Sequence, residues 1–207
     1  FGTCIDYESV AACWGEEERE TLIEASSRVL SKESPSIYQA LLDLEVPPVL
    51  LPRMHGEVDR YTRGKDRVAL IQSLKGHRIH IWGEGPWEKY VPHAIIGPTL
   101  TFEGVIEIMK QSRIVLNSAP RFKAGTHERI FYALMCGASV YTGASSYLKR
   151  YFPTMHTYHY GEWSGLQVGD WAECAEEGQS EVLRAHTWDA RAETLILTEI
   201  KEKSCVN

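Results

Sequence analysis

The sequence lacks most of the short patterns that announce a chemistry. None of its five cysteines, Cys4, Cys13, Cys136, Cys174 and Cys205, belongs to a Cys-x-x-Cys pair, and no Cys/His cluster has zinc spacing. There is no Gly-x-Ser-x-Gly elbow, no Gly-x-x-x-x-Gly-Lys loop, no His-Glu-x-x-His and no Asp-x-Asp pair, so no metal ligands are expected. An odd number of scattered thiols points to a reducing, cytoplasmic compartment in which they serve as small buried apolar groups. No apolar run approaches the roughly 18 residues of a membrane span. No secretory signal is visible, since Phe1-Gly2-Thr3-Cys4-Ile5-Asp6 has neither a basic end nor an apolar stretch. Positive charge is scarce: 22 Lys and Arg face 28 Asp and Glu, a net charge of -6, which argues against a general nucleic-acid binder and leaves only a local basic site.

What is present is the composition of a globular protein. Apolar residues make up 43% of the 207 and charged residues 24%, enough apolar surface to offset ordering entropy in one domain with an appendage. The chain opens on Phe rather than Met, so a fragment or processed product is expected. Residues 1–48 read as a helical segment, with helices over 16–31 and 35–45 stopped by Val46-Pro47-Pro48. From 49 to 207 strands and helices alternate. Strands are expected at Val49–Leu51, Arg78–Trp82, Ile114–Leu116, Ala138–Tyr141 and Thr157–Tyr160. Helices are expected over 66–74, 102–111, 127–135, 146–151 and 179–203, the last running from Ser180 through Leu183, Trp188, Leu195 and Ile196. That alternation predicts an α/β, Rossmann-like parallel sheet with helices on both faces and ligands beyond the carboxyl ends of the strands.

Three loops therefore draw attention. After Leu116, Asn117 stands at a strand end, Arg121, Lys123 and Gly125 follow, and Thr126 is placed to cap the next helix. Two cations, a glycine and a helix N-terminus make an anion site suited to a diphosphate, with Arg129 one turn in. The same residues also read as solvated loop cations and a plain cap. Beside them, His127 and Glu128 suit a sugar hydroxyl or proton transfer, or else packing and balance of the helix dipole. After Trp82, Gly83-Glu84-Gly85-Pro86 lacks the third glycine of a dinucleotide fingerprint and reads as a turn where a base or sugar approaches the backbone. Trp82 walls a pocket or joins the core. After Leu51, a polar loop holds Arg53, His55, Arg60, Arg63 and Lys65, with Arg63 or Lys65 near the crevice, although any one of them reads as solvated.

Residues 49–203 resemble the C-terminal half of glycosyltransferases of the two-Rossmann (GT-B) fold, most of all the glycosyltransferase-like group related to bacterial spore-maturation proteins. The likeness rests on Arg67 to Leu74 with Ile79-His80-Ile81-Trp82-Gly83, on Arg113-Ile114-Val115-Leu116-Asn117, and above all on Gly125-Thr126-His127-Glu128-Arg129-Ile130-Phe131 with Ala133-Leu134-Met135-Cys136-Gly137-Ala138. Tyr147-Leu148, His186-Thr187-Trp188 and Arg191-Ala192 follow in the family's order.

The resemblance implies a glycosyltransferase, or its donor-binding half, that moves a sugar from a UDP- or GDP-linked donor to an unknown acceptor without metal or cofactor. His127, Glu128 and Arg129 would be the catalytic residues. Gly83, Glu84, Gly85, Asn117, Lys123, Gly125 and Thr126 would bind the donor, with Thr126 and Arg129 on phosphate. Two departures stand out. Retaining GT-B enzymes often carry two glutamates eight positions apart here, where this chain has Ala124 and Tyr132, and 48 leading residues are too few for an acceptor lobe, which would come in cis or in trans. A non-catalytic nucleotide-sugar-binding or interaction module and a nucleotide-sugar epimerase are the alternatives.

Overall fold

The computed structural model describes residues 1–74, 76–163 and 171–204, and Cys205 lies outside them. Of the other thiols only Cys4 is buried; Cys13 is exposed, and Cys136 and Cys174 are half-buried, so the expectation of buried cysteines holds at one position.

The chain opens with three helices, α1 (Tyr7–Ala12), α2 (Glu16–Leu30) and α3 (Ile37–Leu42). Asp6 caps α1 by accepting from Ser9 N, and Ser36 caps α3 by accepting from Gln39 N. A fourth helix, α4 (Leu51–Ser73), runs 23 residues. Of the strand expected at 49–51, Val49 and Leu50 are a turn and Leu51 opens the helix, and the polar loop after it is helix. Pro52 sits in the first turn, where a missing N–H costs nothing. Leu51, Met54, Val58, Thr62, Asp66 and Leu70 are buried at intervals of three and four, one helical stripe. Thr62 and Asp66 occupy apolar positions in that stripe, which hid the period.

The two halves of α4 serve different cores. Leu51, Met54 and Val58 pack with Leu22, Val29 and Leu41 of the leading helices. Val68, Leu70, Ile71 and Leu74 pack with Ile79, Ile81, Trp87 and Tyr90 beside the sheet.

The remaining elements are β1 (His80–Trp82), α5 (Trp87–Tyr90), β2 (Ile95–Gly97), α6 (Phe102–Gln111), β3 (Ile114–Asn117), α7 (Glu128–Met135), β4 (Ser139–Gly143), α8 (Ser146–Tyr151), β5 (His156–Tyr158), α9 (Trp171–Ala185) and α10 (Trp188–Ser204). The expected single last helix is two, because Thr187 caps α10 by accepting from Ala190 N at 3.2 Å. Leu183, Trp188, Leu195 and Ile196 along these helices are exposed. The helices expected over 102–111 and 146–151 stand as read, each opened by a hydroxyl cap, Thr101 for α6 and Ser145 for α8.

Every strand pairing among the described residues is parallel. β1 pairs with β2 through His80↔Ile95, and β3-β4-β5 form a second sheet through Ile114↔Ser139 and Tyr141↔His156. The two-residue period sends Val115 and Val140 into a core with Ile130, Leu134 and Leu148, and sends Tyr141 and Tyr158 to the opposite core with Ile81. Helices thus cover both faces, the arrangement expected of a Rossmann-like α/β lobe.

One buried carboxylate ties these parts together. Asp66 on α4 accepts from Ser118 Oγ at 2.6 Å, just beyond β3, and from Tyr158 Oη at 3.1 Å, at the end of β5. Burial raises its pKa above the ordinary Asp value, and the two hydroxyl bonds oppose that rise. The folded state therefore holds the proton to higher pH than the unfolded chain does. Its stabilising share is complete at low pH and is lost as pH rises through the folded-state pKa. Asp66→Asn, which cannot ionise, is expected to flatten the urea-stability profile just above the ordinary Asp value of about 3.9. Asp66→Ala leaves the buried Tyr158 hydroxyl and the half-buried Ser118 hydroxyl without their acceptor and is expected to cost about 1–3 kcal/mol. A profile unchanged in Asp66→Asn would mean that this carboxyl does not titrate as described.

Candidate functional site

The carboxyl ends of β1 and β3 open onto one cavity of about 820 Å³. The cavity runs between the two strands, with His77, Arg78, Ser112 and Arg113 toward their amino ends; at the carboxyl ends it is lined by Arg67, Ser118 and Arg129, and Trp82 and Phe1 form an aromatic wall. Each polar group is placed by a neighbour. Arg129 lies one residue into α7 and donates from a guanidinium nitrogen to Asn117 Oδ1 at 3.4 Å. Asn117 is buried at the end of β3, and its Nδ2 donates to Thr142 Oγ1 on β4 at 3.0 Å, which fixes the amide's orientation. Arg67 follows Asp66 on α4 and donates to the carbonyl of Thr3.

Burial pushes both guanidinium pKa values down from the usual Arg value, and the charge of Arg129 lowers that of Arg67 further. Neither guanidinium lies within ion-pair distance of a carboxylate among the described residues. Two half-buried cations that repel one another are held together by the fold, and an anion between them would relieve that repulsion.

The N-terminus of α7 adjoins this pair. The expected cap, Thr126, is not the cap. His127 is, with Nδ1 accepting from Arg129 N at 3.1 Å, while Thr126 Oγ1 is buried without a hydrogen-bond partner. An imidazole nitrogen does here what a side-chain oxygen does at most helix starts. Burial lowers the His127 pKa below the usual histidine value, and Arg129 lowers it further. The ring is thus neutral at neutral pH, with its proton on Nε2, because Nδ1 is accepting. Glu128 is exposed, and nothing lies within 4 Å of where a side chain at Gly125 would begin.

Other expected site residues are engaged elsewhere. Lys123 donates to the carbonyl of Val29 in the last turn of α2. Burial, then the charge of Lys32, lower its pKa to about 8. Its cation meets a free helix carbonyl, so it fastens the leading helices to the sheet lobe rather than facing the crevice. The expected approach of a base or sugar at Gly83 and Gly85 is taken by the chain itself. Both glycines have positive φ, +150° and +96°, and an added Cβ would lie 2.1 Å from Gly2 O and 2.3 Å from Cys4 O. Glu84 is exposed and accepts from Thr99 Oγ1 at 3.3 Å. Arg53, Arg63 and Arg121 are in ion pairs with Glu18, Asp59 and Asp59, and Lys65 Nζ donates to Tyr61 Oη at 3.0 Å.

The residues that sequence reasoning missed are Asp66, Arg67 and Ser118. The available signal was the buried stripe of α4. An acid four residues after Thr62 on an apolar face calls for hydrogen-bond partners, and its neighbour Arg67 then falls at the sheet's edge.

The fold and the crevice together define an α/β lobe with parallel sheets and a half-buried cationic site at the strands' carboxyl ends. A sequence model described as glycosyl transferase-like matches residues 65–196, and the chain belongs to that family. No curated protein and no solved structure matches. The matched span takes in Asp66, Arg67, all five strands and α7. Family membership supports a glycosyl transfer function, with a sugar donor and an acceptor as partners. No helix among the described residues is long and apolar enough to cross a membrane.

His127→Ala should destabilise the protein by about 1 kcal/mol, and His127→Asn, which retains a capping acceptor, by markedly less. Equal losses in urea titrations would show that the imidazole does not cap α7.

Proposed function

We propose that the chain is the donor-binding lobe of a GT-B glycosyltransferase, of the kind related to spore-maturation proteins, and that its crevice holds the diphosphate of a UDP- or GDP-linked sugar. The observation that carries this reading is the Arg67–Arg129 pair, unpaired with any described carboxylate, beside the first turn of a helix at the carboxyl end of β3. Nucleotides in α/β sheets are held at such strand ends. Helix N–H groups and guanidinium forks match phosphate oxygens in charge and geometry.

In sugar transfer, the bond from the anomeric carbon to the diphosphate oxygen breaks as the acceptor oxygen bonds to that carbon. Negative charge grows on the leaving diphosphate. Arg67 and Arg129 supply fixed positive charge at that point, and their half-buried setting makes each contact stronger than in water. The neutral His127 offers an Nε2–H donor to a phosphate or sugar oxygen without adding a third cation. Two guanidinium groups and helix N–H groups supply the charge that a metal supplies in other transferases, so this reading is of metal-independent transfer. The acceptor would be selected by a second lobe, supplied in cis or in trans.

Thermal shift with UDP, GDP and the corresponding nucleosides tests the proposal. A diphosphate at 100 times its Kd should stabilise the fold by roughly 2.7 kcal/mol. Arg129→Ala and Arg67→Ala should each weaken UDP by about 1.5–3 kcal/mol and leave uridine nearly unchanged. Arg121→Ala, on the exposed pair with Asp59, should leave both unchanged. Equal losses for UDP and uridine would remove these arginines from the diphosphate, and no shift with any nucleotide would sink the donor reading. Transfer or hydrolysis of a bound sugar separates an enzyme from a binding module.

A further inference from the structure

The two sheets face each other across a gap. Among the described residues no β-bridge joins β1 to β3, yet both line the same cavity, through Ile79 and Ile81 on one side and Ile114 and Leu116 on the other. The hydrogen-bonding edges that meet there can be read from the pairings on the outer sides. On β1, Ile79 O accepts from Ile95 N at 2.8 Å, so Ile79 and Ile81 turn their main-chain groups toward β2. His80 and Trp82 therefore turn theirs to the gap. On β3, Arg113 O accepts from Ser139 N at 3.1 Å, so Ile114 and Leu116 turn theirs to the gap as well. Buried main-chain groups require partners, and parallel strands are rarely left with an open edge inside a protein.

Part of the partner is visible. Gly2 N donates to Trp82 O at 3.0 Å and Cys4 N donates to Glu84 O at 2.7 Å. Two donors two residues apart meet two acceptors two residues apart in the same order, which is a parallel ladder. Residues 2–4 thus run alongside the end of β1 in strand register, and Phe1 points the path back into the cavity, its ring stacked on Trp82 at 5.4 Å.

We propose that the gap is a strand position, and that its occupant is an extended apolar segment that leads into Phe1 and runs parallel to β1 and β3. With it in place the two sheets become one, in the order β2-β1-inserted strand-β3-β4-β5. A strand of five or six residues spans about 17–20 Å. Alternate side chains would meet Leu70 and Ile71 of α4 on one face and Ile108 of α6 on the other, which makes the slot apolar on both faces. The inserted strand and β3 then become the neighbours whose connections leave in opposite directions, toward β1 and toward β4. This is the switch point at which α/β sheets hold ligands, and Arg129 lies at its carboxyl end. The inference rests on main-chain geometry and holds whether or not the crevice takes a nucleotide.

The test compares three forms of the full chain, each lengthened by six residues before Phe1: an alternating Val/Ile segment, a Gly/Ser segment, and the Val/Ile segment with proline at its fourth residue. Amide hydrogen exchange is followed at His80, Ile114 and Leu116 in all forms without nucleotide. The Val/Ile extension is expected to slow exchange at these amides at least tenfold and to raise Tm by several degrees. The Gly/Ser and proline forms are expected to resemble the unextended chain. Equal protection by Gly/Ser or no protection by Val/Ile would each overturn the strand assignment.

Discussion

Asp66 is the constraint from which the arrangement of the crevice follows. A carboxylate on an otherwise apolar stripe of α4 is buried only because two hydroxyls reach it, one from the end of β3 and one from the end of β5. Those bonds draw the carboxyl edge of the three-stranded sheet against the helix. The next residue of the same helix is Arg67, which lines the same end of the cavity as Arg129, close enough for the charge of Arg129 to lower its pKa. The net cost of burying charge is met by geometry, since each polar group in the chain Tyr158–Asp66–Ser118 has a partner.

The same edge shows how the fold reserves positive charge for one place. The chain as a whole is acidic, and most of its arginines and lysines near the site are consumed in contacts of their own. Lys123 and Lys32 donate to main-chain carbonyls of Val29 and Ala144 and so join the helical segment to the sheet lobe. Arg63 and Arg121 share Asp59. What remains at the strands' carboxyl ends is the Arg67–Arg129 pair, which no carboxylate among the described residues meets within ion-pair distance. The proposed grip on a leaving diphosphate would need this selectivity, because cations already in ion pairs contribute little to a new anion.

Much of this was legible in the sequence, and the parts that were not have specific causes. The block from Ile114 to Met135 delivered its strand, its loop and its helix as read, with Asn117 and Arg129 in contact at the crevice. Short period-two runs ending in Asn or Gly, and an amphipathic stretch opened by a capping residue, are local signals that survive tertiary context. The cap itself moved from Thr126 to His127, because a histidine nitrogen can accept where a hydroxyl was expected. The strand expected at Val49–Leu51 was overridden by a helical stripe in which Thr62 and Asp66 stand at core positions. Gly83 and Gly85 were recognised as places of close approach, yet the approaching group is the main chain of Gly2 and Cys4 rather than a ligand.

By itself, then, the sequence determined the alternation of strands and helices, the parallel sheet that such alternation requires, and the cationic helix start at Arg129. These depend on neighbours a few residues apart, and the energies involved are those of caps, periods and turns. Only the tertiary structure decided which cations face the crevice, which acid is buried, and which strand edges are left open between β1 and β3. Those outcomes depend on contacts such as Asp66 with Tyr158, 92 residues apart, whose worth depends on burial that no local pattern records.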